Sequence, residues 1–131
     1  MKRVRYVSLD EVLAIHDDMI ERYGGSFGVR DLGLIQSAIS RPQATFGGYD
    51  LYKTVFDKAA ALFHSLLFNH AFADGNKRTA ITTTVRFLHV NGYELIASKD
   101  EFVKFPLNVE NNHLTLEQIV FWLKKNSRKA R

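Results

Sequence analysis

The chain contains no cysteine. A disulfide framework and thiolate chemistry are therefore excluded, and a reducing compartment suits the composition. No apolar run reaches the roughly 18 residues that a membrane span requires. No charged-then-apolar leader opens the sequence, because Met1-Lys2-Arg3-Val4-Arg5-Tyr6 runs straight into a polar helix. These absences give the expectation of a cytoplasmic protein with no membrane partner. Repeats, linkers and low-complexity segments are missing as well. Several chemistries lose their usual carriers: there is no Gly-x-Ser-x-Gly elbow, no Walker loop and no protein-kinase Asp-Phe-Gly. The histidines His16, His64, His89 and His113 form no metal-ligand spacing.

What is present is a core. The 131 residues are 46% hydrophobic, which favours one independently folded domain spanning residues 1–131 and argues against disorder. The net charge of +4 lies largely at the ends, in Lys2, Arg3 and Arg5 and in Lys124, Lys125, Arg128, Lys129 and Arg131. The favoured reading of residues 126–131 is a solvated, fraying basic tail beyond a last helix. A nucleic-acid arm is the sharper reading, but no aromatic residues interleave with these charges as a stacking platform would need.

Helical periodicity organises most of the chain. Ser8 and Glu11 have the spacing of a capping box, with Val7 and Val12 as a staple, and Val12, His16, Met19, Ile20 and Tyr23 share one face up to a stop at Gly24. Gly24-Gly25-Ser26-Phe27-Gly28 reads as turn chemistry rather than a phosphate cradle. A short helix is predicted from about Val29 to Ser40, ended by Arg41-Pro42. Residues 43–50, with Gly47-Gly48, read as a loop or short β-hairpin; alone they favour a plain connection over a substrate flap. Lys53 to Asn69 is apolar on most sides and belongs in the middle of a bundle. Asn76 to Val90 is the next helix, stopped by Asn91-Gly92. Tyr93 to Ile96 is β-friendly, Ser98 to about Pro106 helical, and Asn108 to His113 a polar loop. Thr115 and Gln118 then cap a final helix. The predicted fold class is all-α, a compact helical bundle with at most a small β-hairpin.

The two central helices meet at His70-Ala71-Phe72-Ala73-Asp74-Gly75-Asn76-Lys77-Arg78. Here a local rule is broken. Lys77 and Arg78 occupy the first turn of a helix, where the dipole disfavours cations by roughly several tenths of a kcal/mol each. A bound polyphosphate is the simplest compensation. Gly75 allows close backbone approach, Asn76 can cap the helix or donate to a phosphate oxygen, Arg78 offers a bidentate fork and Lys77 a point charge. Asp74 is balanced between an N-cap and a ligand for a Mg²⁺ that would relieve its conflict with phosphate. His70 is a helix-end histidine or, beside a phosphate site, a general base. Phe72 reads as an anchor into the core.

These nine residues resemble the Fic-domain signature His-x-Phe-x-(Asp/Glu)-Gly-Asn-x-Arg. The ending Asn76-Lys77-Arg78-Thr79 is similar to that of Doc (death-on-curing) toxins of bacterial and phage toxin–antitoxin modules. The resemblance extends to Ile15-His16, Tyr23-Gly24-Gly25, Gly28-Val29-Arg30-Asp31, Arg41-Pro42, Asn69-His70 and Asn91-Gly92-Tyr93. It implies a Fic fold and transfer from a nucleotide to a protein hydroxyl. His70 would be the base, Asp74 the Mg²⁺ ligand, and Gly75, Asn76, Lys77 and Arg78 the phosphate site of ATP, with Gly47-Gly48 in a flap that positions the target. Two residues depart from the general Fic pattern: Ala71 stands for a common proline and Lys77 for a common small residue. The second departure, shared with Doc-like members, implies an inverted nucleotide and phosphorylation, with elongation factor Tu as the family's target. AMP transfer in the same fold and a catalytically silent binding module are the alternatives. No Ser/Thr-x-x-x-Glu-Gly/Asn inhibitory motif occurs in the sequence, so an antitoxin covering the site is the expected partner.

Overall fold

The computed structural model describes residues 3–131; Lys2, counted above with the N-terminal charges, lies outside them. Six α-helices are found among the described residues: α1 Leu9–Tyr23, α2 Leu32–Ser40, α3 Val55–Phe68, α4 Asn76–Val90, α5 Lys99–Asn112 and α6 Leu116–Lys125. A 3₁₀ turn, Arg41–Gln43, follows α2.

α3 is the centre. Ala59, Ala60, Ala61, Leu62, Phe63, Leu66 and Leu67 are all buried on it, as its apolar circumference predicts. The three successive alanines let neighbouring backbones come close, and α4, α6, α2 and the 3₁₀ turn pack around it. Ser8 and Glu11 form the expected capping box on α1, Val7 and Val12 are both buried, and Thr115 and Gln118 cap α6. Two further boxes, Thr54/Asp57 on α3 and Ser98/Glu101 on α5, follow the same chemistry.

Of the two expectations near Gly47-Gly48, a loop or a short β-hairpin, the structure has the hairpin, with strand β1 Thr45–Phe46 pairing antiparallel with β2 Tyr49–Asp50. Gly47 and Gly48 have φ of 59° and 83°, which a two-residue turn between twisted strands demands at both central positions.

The boundaries differ from the sequence prediction in four places. α2 starts at Leu32, because Asp31 accepts the Leu34 N–H as its N-cap while Val29 forms a β-bridge to Phe72. α3 starts at Val55 rather than Lys53, because Thr54 is its cap. The expected polar loop at Asn108–His113 is instead the second half of α5, which runs through Pro106. An interior proline costs about 3 kcal/mol, but burying Phe105 and Val109 on the same helix returns roughly 1.5–3 kcal/mol each. Finally, the tail expected to fray is ordered: strand β4 Ser127–Lys129 pairs with β3 Tyr93–Leu95. The edge of β3 offers unpaired backbone groups, and Arg128 pairs with Glu94 across the strands at 3.1 Å. The chain thus has a second two-stranded sheet where at most one hairpin was expected.

Candidate active site

The loop from His70 to Gly75 joins α3 to α4 and is held from three sides. Phe72 is buried, as its anchoring role requires, and its ring stacks on His16 with centroids 3.8 Å apart. His16, packed in the stripe of α1 as expected, donates through Nε2 to the Asp74 carbonyl at 2.8 Å. The Gly24–Gly28 turn closes the third side: the Ser26 N–H donates to Asp74 Oδ2 at 2.8 Å, and the Ala73 N–H donates to the Gly28 carbonyl at 3.1 Å. A Cβ on Gly25 would lie 3.1 Å from Asp74 Cβ, so glycine is what lets this turn approach.

Asn76 has a different task from the one its spacing suggests. Its Oδ1 accepts the Phe72 N–H at 3.1 Å and its Nδ2 donates to the Phe72 carbonyl at 3.0 Å. The side chain therefore staples the loop instead of capping α4, and Asp74 does not cap α4 either. The N-cap is Gly75, in the left-handed conformation with φ of 77° and no side-chain capping bond. Every other α-helix described has a side-chain cap. The N–H groups of Asn76, Lys77 and Arg78 are consequently left without an acceptor, at the positive end of the helix dipole.

His70 sits at φ 48°, an uncommon conformation for a residue with a Cβ. Its imidazole is 48% exposed and its Nε2 lies 3.5 Å from Glu110 Oε2. The other oxygen of Glu110 pairs with Lys77 Nζ at 3.1 Å. Glu110 is 24% exposed, and its Oε2 is buried with no hydrogen-bond partner. Arg78 lies over the Tyr23 ring, 4.2 Å from its centroid. His70, Asp74, Gly75, Asn76, Lys77 and Arg78 all line one cleft of about 410 Å³, walled on the far side by Phe102, Val103, Pro106 and Leu107 of α5. Gly47 and Gly48 do not line it.

Sequence reasoning missed Glu110, His16 and the α5 wall. A signal for Glu110 exists: Phe102, Pro106 and Glu110 recur at i, i+4 and i+8, one face of a helix, but on local grounds Pro106 ends that helix first.

The site contains no ready-made metal cage. Among the described residues no group of three or more His, Cys, Asp or Glu side chains could hold an ion. Asp74 nevertheless suits Mg²⁺, which typically takes one or two carboxylates together with phosphate oxygens and water. Its Oδ2 is oriented by Ser26, and Oδ1 has no protein partner in this cleft.

A family model described as the Fic/DOC family matches residues 6–88, well over half the chain. The chain belongs to the Fic/DOC family. Two relatives extend the comparison. A protein named Toxin Doc from Mycolicibacterium smegmatis is 54% identical over 78 residues, 60% of this chain and 60% of that protein. Protein kinase doc of Escherichia phage P1 is 35% identical over 97 residues, 74% of this chain and 76% of that protein. The match thus spans less than two-thirds of the first relative's length. The Fic/DOC match covers α1 through most of α4, and so includes all nine residues from His70 to Arg78. α5, with Glu110, lies beyond it. No described helix is long and apolar enough to cross a membrane.

Proposed function

We propose that the protein is the toxin of a toxin–antitoxin module, a cytoplasmic transferase that moves the γ-phosphate of ATP to a protein hydroxyl. Elongation factor Tu is the proposed target and arrest of translation the outcome. The observation that carries the reading is the start of α4: an uncapped helix N-terminus with two cations in its first turn, in the same cleft as a carboxylate and an exposed histidine. Backbone N–H groups, Lys77 and Arg78 are together the complement of a polyphosphate. The name of the phage relative, a protein kinase, supports γ-transfer over AMP transfer.

In this mechanism an unprotonated ring nitrogen of His70 takes the proton of the target hydroxyl. The hydroxyl oxygen bonds to the γ-phosphorus as the bond to the β–γ bridging oxygen breaks, and ADP leaves. The N–H groups of Asn76, Lys77 and Arg78, with both cations, hold the phosphates in line. Asp74 would hold Mg²⁺, which offsets the negative charge of the phosphates when bound. The β1–β2 hairpin, through Gly47-Gly48, positions the target segment. An antitoxin is the proposed partner over the cleft. A neighbouring groove of about 440 Å³, lined by Met19, Tyr23, Ile81 and Val85, shares Arg78, Phe102 and Val103 with the cleft, so a protein seated there would cover both.

The test is incubation with Mg²⁺, elongation factor Tu and ATP labelled at either the γ- or the α-phosphate. Label on the target from γ alone is the expected result. Label from α would make the protein an AMP transferase. ATP binding with no transfer from either position to elongation factor Tu or to a translation extract would refute the assignment.

A further inference from the structure

The most deeply buried lysine or arginine among the described residues has no part in the chemistry above. Lys58, in the second turn of α3, is 1% exposed. An ammonium in such a place is strongly unfavourable unless it is paired and hydrogen-bonded. Its two hydrogen-bond partners lie at the end of the flap and two residues beyond it. Nζ donates to Asp50 Oδ2 at 3.0 Å and to the backbone carbonyl of Tyr52. Asp50 is the last residue of β2, and its own side chain is half exposed.

A second cation holds the segment that leads out of the hairpin. Arg41 Nε donates to the Tyr52 hydroxyl at 2.9 Å, and its guanidinium lies 5.5 Å from the centre of the Tyr52 ring. Nη1 of Arg41 donates to Ser65 Oγ at 3.0 Å and to His64 Nδ1 at 3.1 Å, both on α3. The hairpin tip, by contrast, is bare: Phe46 is 82% exposed and Tyr49 77%. A two-stranded hairpin of this length has no stability of its own in water. Its position is set by what holds its base.

We infer that Lys58 is a positioning residue for the protein substrate: its buried ammonium, through Asp50 and the Tyr52 carbonyl, fixes the flap to α3. α3 is also the helix that delivers His70, and its last turn lies about 15 Å along the axis from Lys58. One rigid element therefore carries both the base and the part that aligns the hydroxyl with it. Charge at the buried position serves this purpose better than an apolar side chain, because only a donor can hold a half-exposed carboxylate and a backbone carbonyl together. The inference rests on the reading of the hairpin as a target-positioning flap.

Two variants test it. Lys58→Met removes the charge and keeps the stem. Asp50→Asn removes the paired charge from the exposed side and keeps an oxygen that can accept from Lys58 Nζ. Backbone ¹⁵N order parameters of Gly47 and Gly48 are measured in the wild type and both variants, together with steady-state kinetics using elongation factor Tu and ATP. The expected result is a fall of the flap order parameters from rigid values to below about 0.6, with α4 unchanged. KM for the protein substrate should rise tenfold or more, while kcat and KM for ATP stay within twofold. Unchanged flap order in a folded Asp50→Asn protein overturns the clamp. A fall in kcat together with a rise in KM for ATP also overturns it, since that would mark a general structural role. If the wild type transfers nothing but flap order falls in the variants, the clamp stands and the proposed activity fails. If Lys58→Met does not fold, Asp50→Asn alone decides.

Discussion

Replacing Glu110 by Gln should make the cleft a better anion site. In the free protein Glu110 supplies Lys77 with a counter-ion at 3.1 Å, and an incoming triphosphate must displace that contact. Two unit charges at this distance attract by about 1.3 kcal/mol at the dielectric constant of water, and by roughly four times as much at an effective value of 20. Lys77 is 41% exposed and the carboxylate is partly so, which places the pair near the upper end of exposed ion pairs, at about 1 kcal/mol. Repulsion between Glu110 and the ligand's own charge acts in the same direction. Glu110→Gln keeps the shape and the helix propensity of α5, so the expected change is a roughly fivefold tighter dissociation constant. The assay is calorimetric titration with inorganic tripolyphosphate, then with ATP and Mg²⁺, at two salt concentrations. The gain should shrink at high salt. Unchanged or weaker binding by the variant would refute the reasoning and make Glu110 a support for Lys77 rather than its competitor.

Other variants separate the roles of the remaining residues. His70→Ala should lower phosphate transfer by on the order of 100-fold or more while tripolyphosphate binding persists; retained transfer would remove the base assignment. Asp74→Asn keeps an acceptor for Ser26 but loses a charged metal ligand, so the Mg²⁺ concentration for half-maximal activity should rise on the order of tenfold. Gly75→Ala must hold a side chain at φ 77° with its Cβ 3.0 Å from Ile20 Cδ1, and should lower stability by about 1–2 kcal/mol in thermal denaturation. Acid should destabilise the flap base through His64. Burial, and then the charge of Arg41, hold its imidazole below the ordinary pKa, so the folded state keeps it neutral with Nδ1 accepting from Arg41. Its contribution to stability is full above the unfolded value and is lost as pH falls from about 6.5 towards the lower folded value. Tm between pH 7.5 and 5 should therefore fall less steeply in His64→Gln than in the wild type.

The parts of the fold that were legible in the sequence are those where local chemistry and burial agree. Ser8 with Glu11 and Thr115 with Gln118 gave their helix starts because the capping box is a contact between residues three apart. α4 runs from Asn76 to Val90 as its spacing required, even though its N-terminus breaks the charge rule. What stayed hidden depended on partners far along the chain. Pro106 ends a helix on local grounds, and only the burial of Phe105 and Val109 against α3 and its neighbours keeps α5 going. That misplaced boundary put Glu110 in a loop and out of the site. The strand at Ser127–Lys129 has no periodicity that marks it, because it exists to pair with Tyr93–Leu95, more than thirty positions earlier in the sequence. Asn76 could be assigned to an anion or a cap but not to the Phe72 backbone, since a side chain that bonds both the N–H and the carbonyl of one residue gives no sequence signal beyond its spacing of four.

The distribution of hydrogen bonds in the loop has a consequence for how ligand binding proceeds. The polar groups that shape the backbone are already satisfied: the Asn76 amide on Phe72, the Asp74 carbonyl by His16, and Asp74 Oδ2 by Ser26. None of these has to break for an anion to enter. The groups facing the cleft are the uncapped N–H groups of α4, the Arg78 guanidinium on Tyr23, and the Lys77–Glu110 pair. Reorganisation on binding is thereby confined to side chains, and an oriented set of N–H donors that does not move is what makes electrostatic stabilisation of transferring charge effective. The same division explains why the Gly25 turn and His16, which touch no phosphate in this reading, are as necessary to the site as the residues that do. Without them Gly75 would have no fixed left-handed position from which to start α4, and the first-turn N–H groups would lose their common direction.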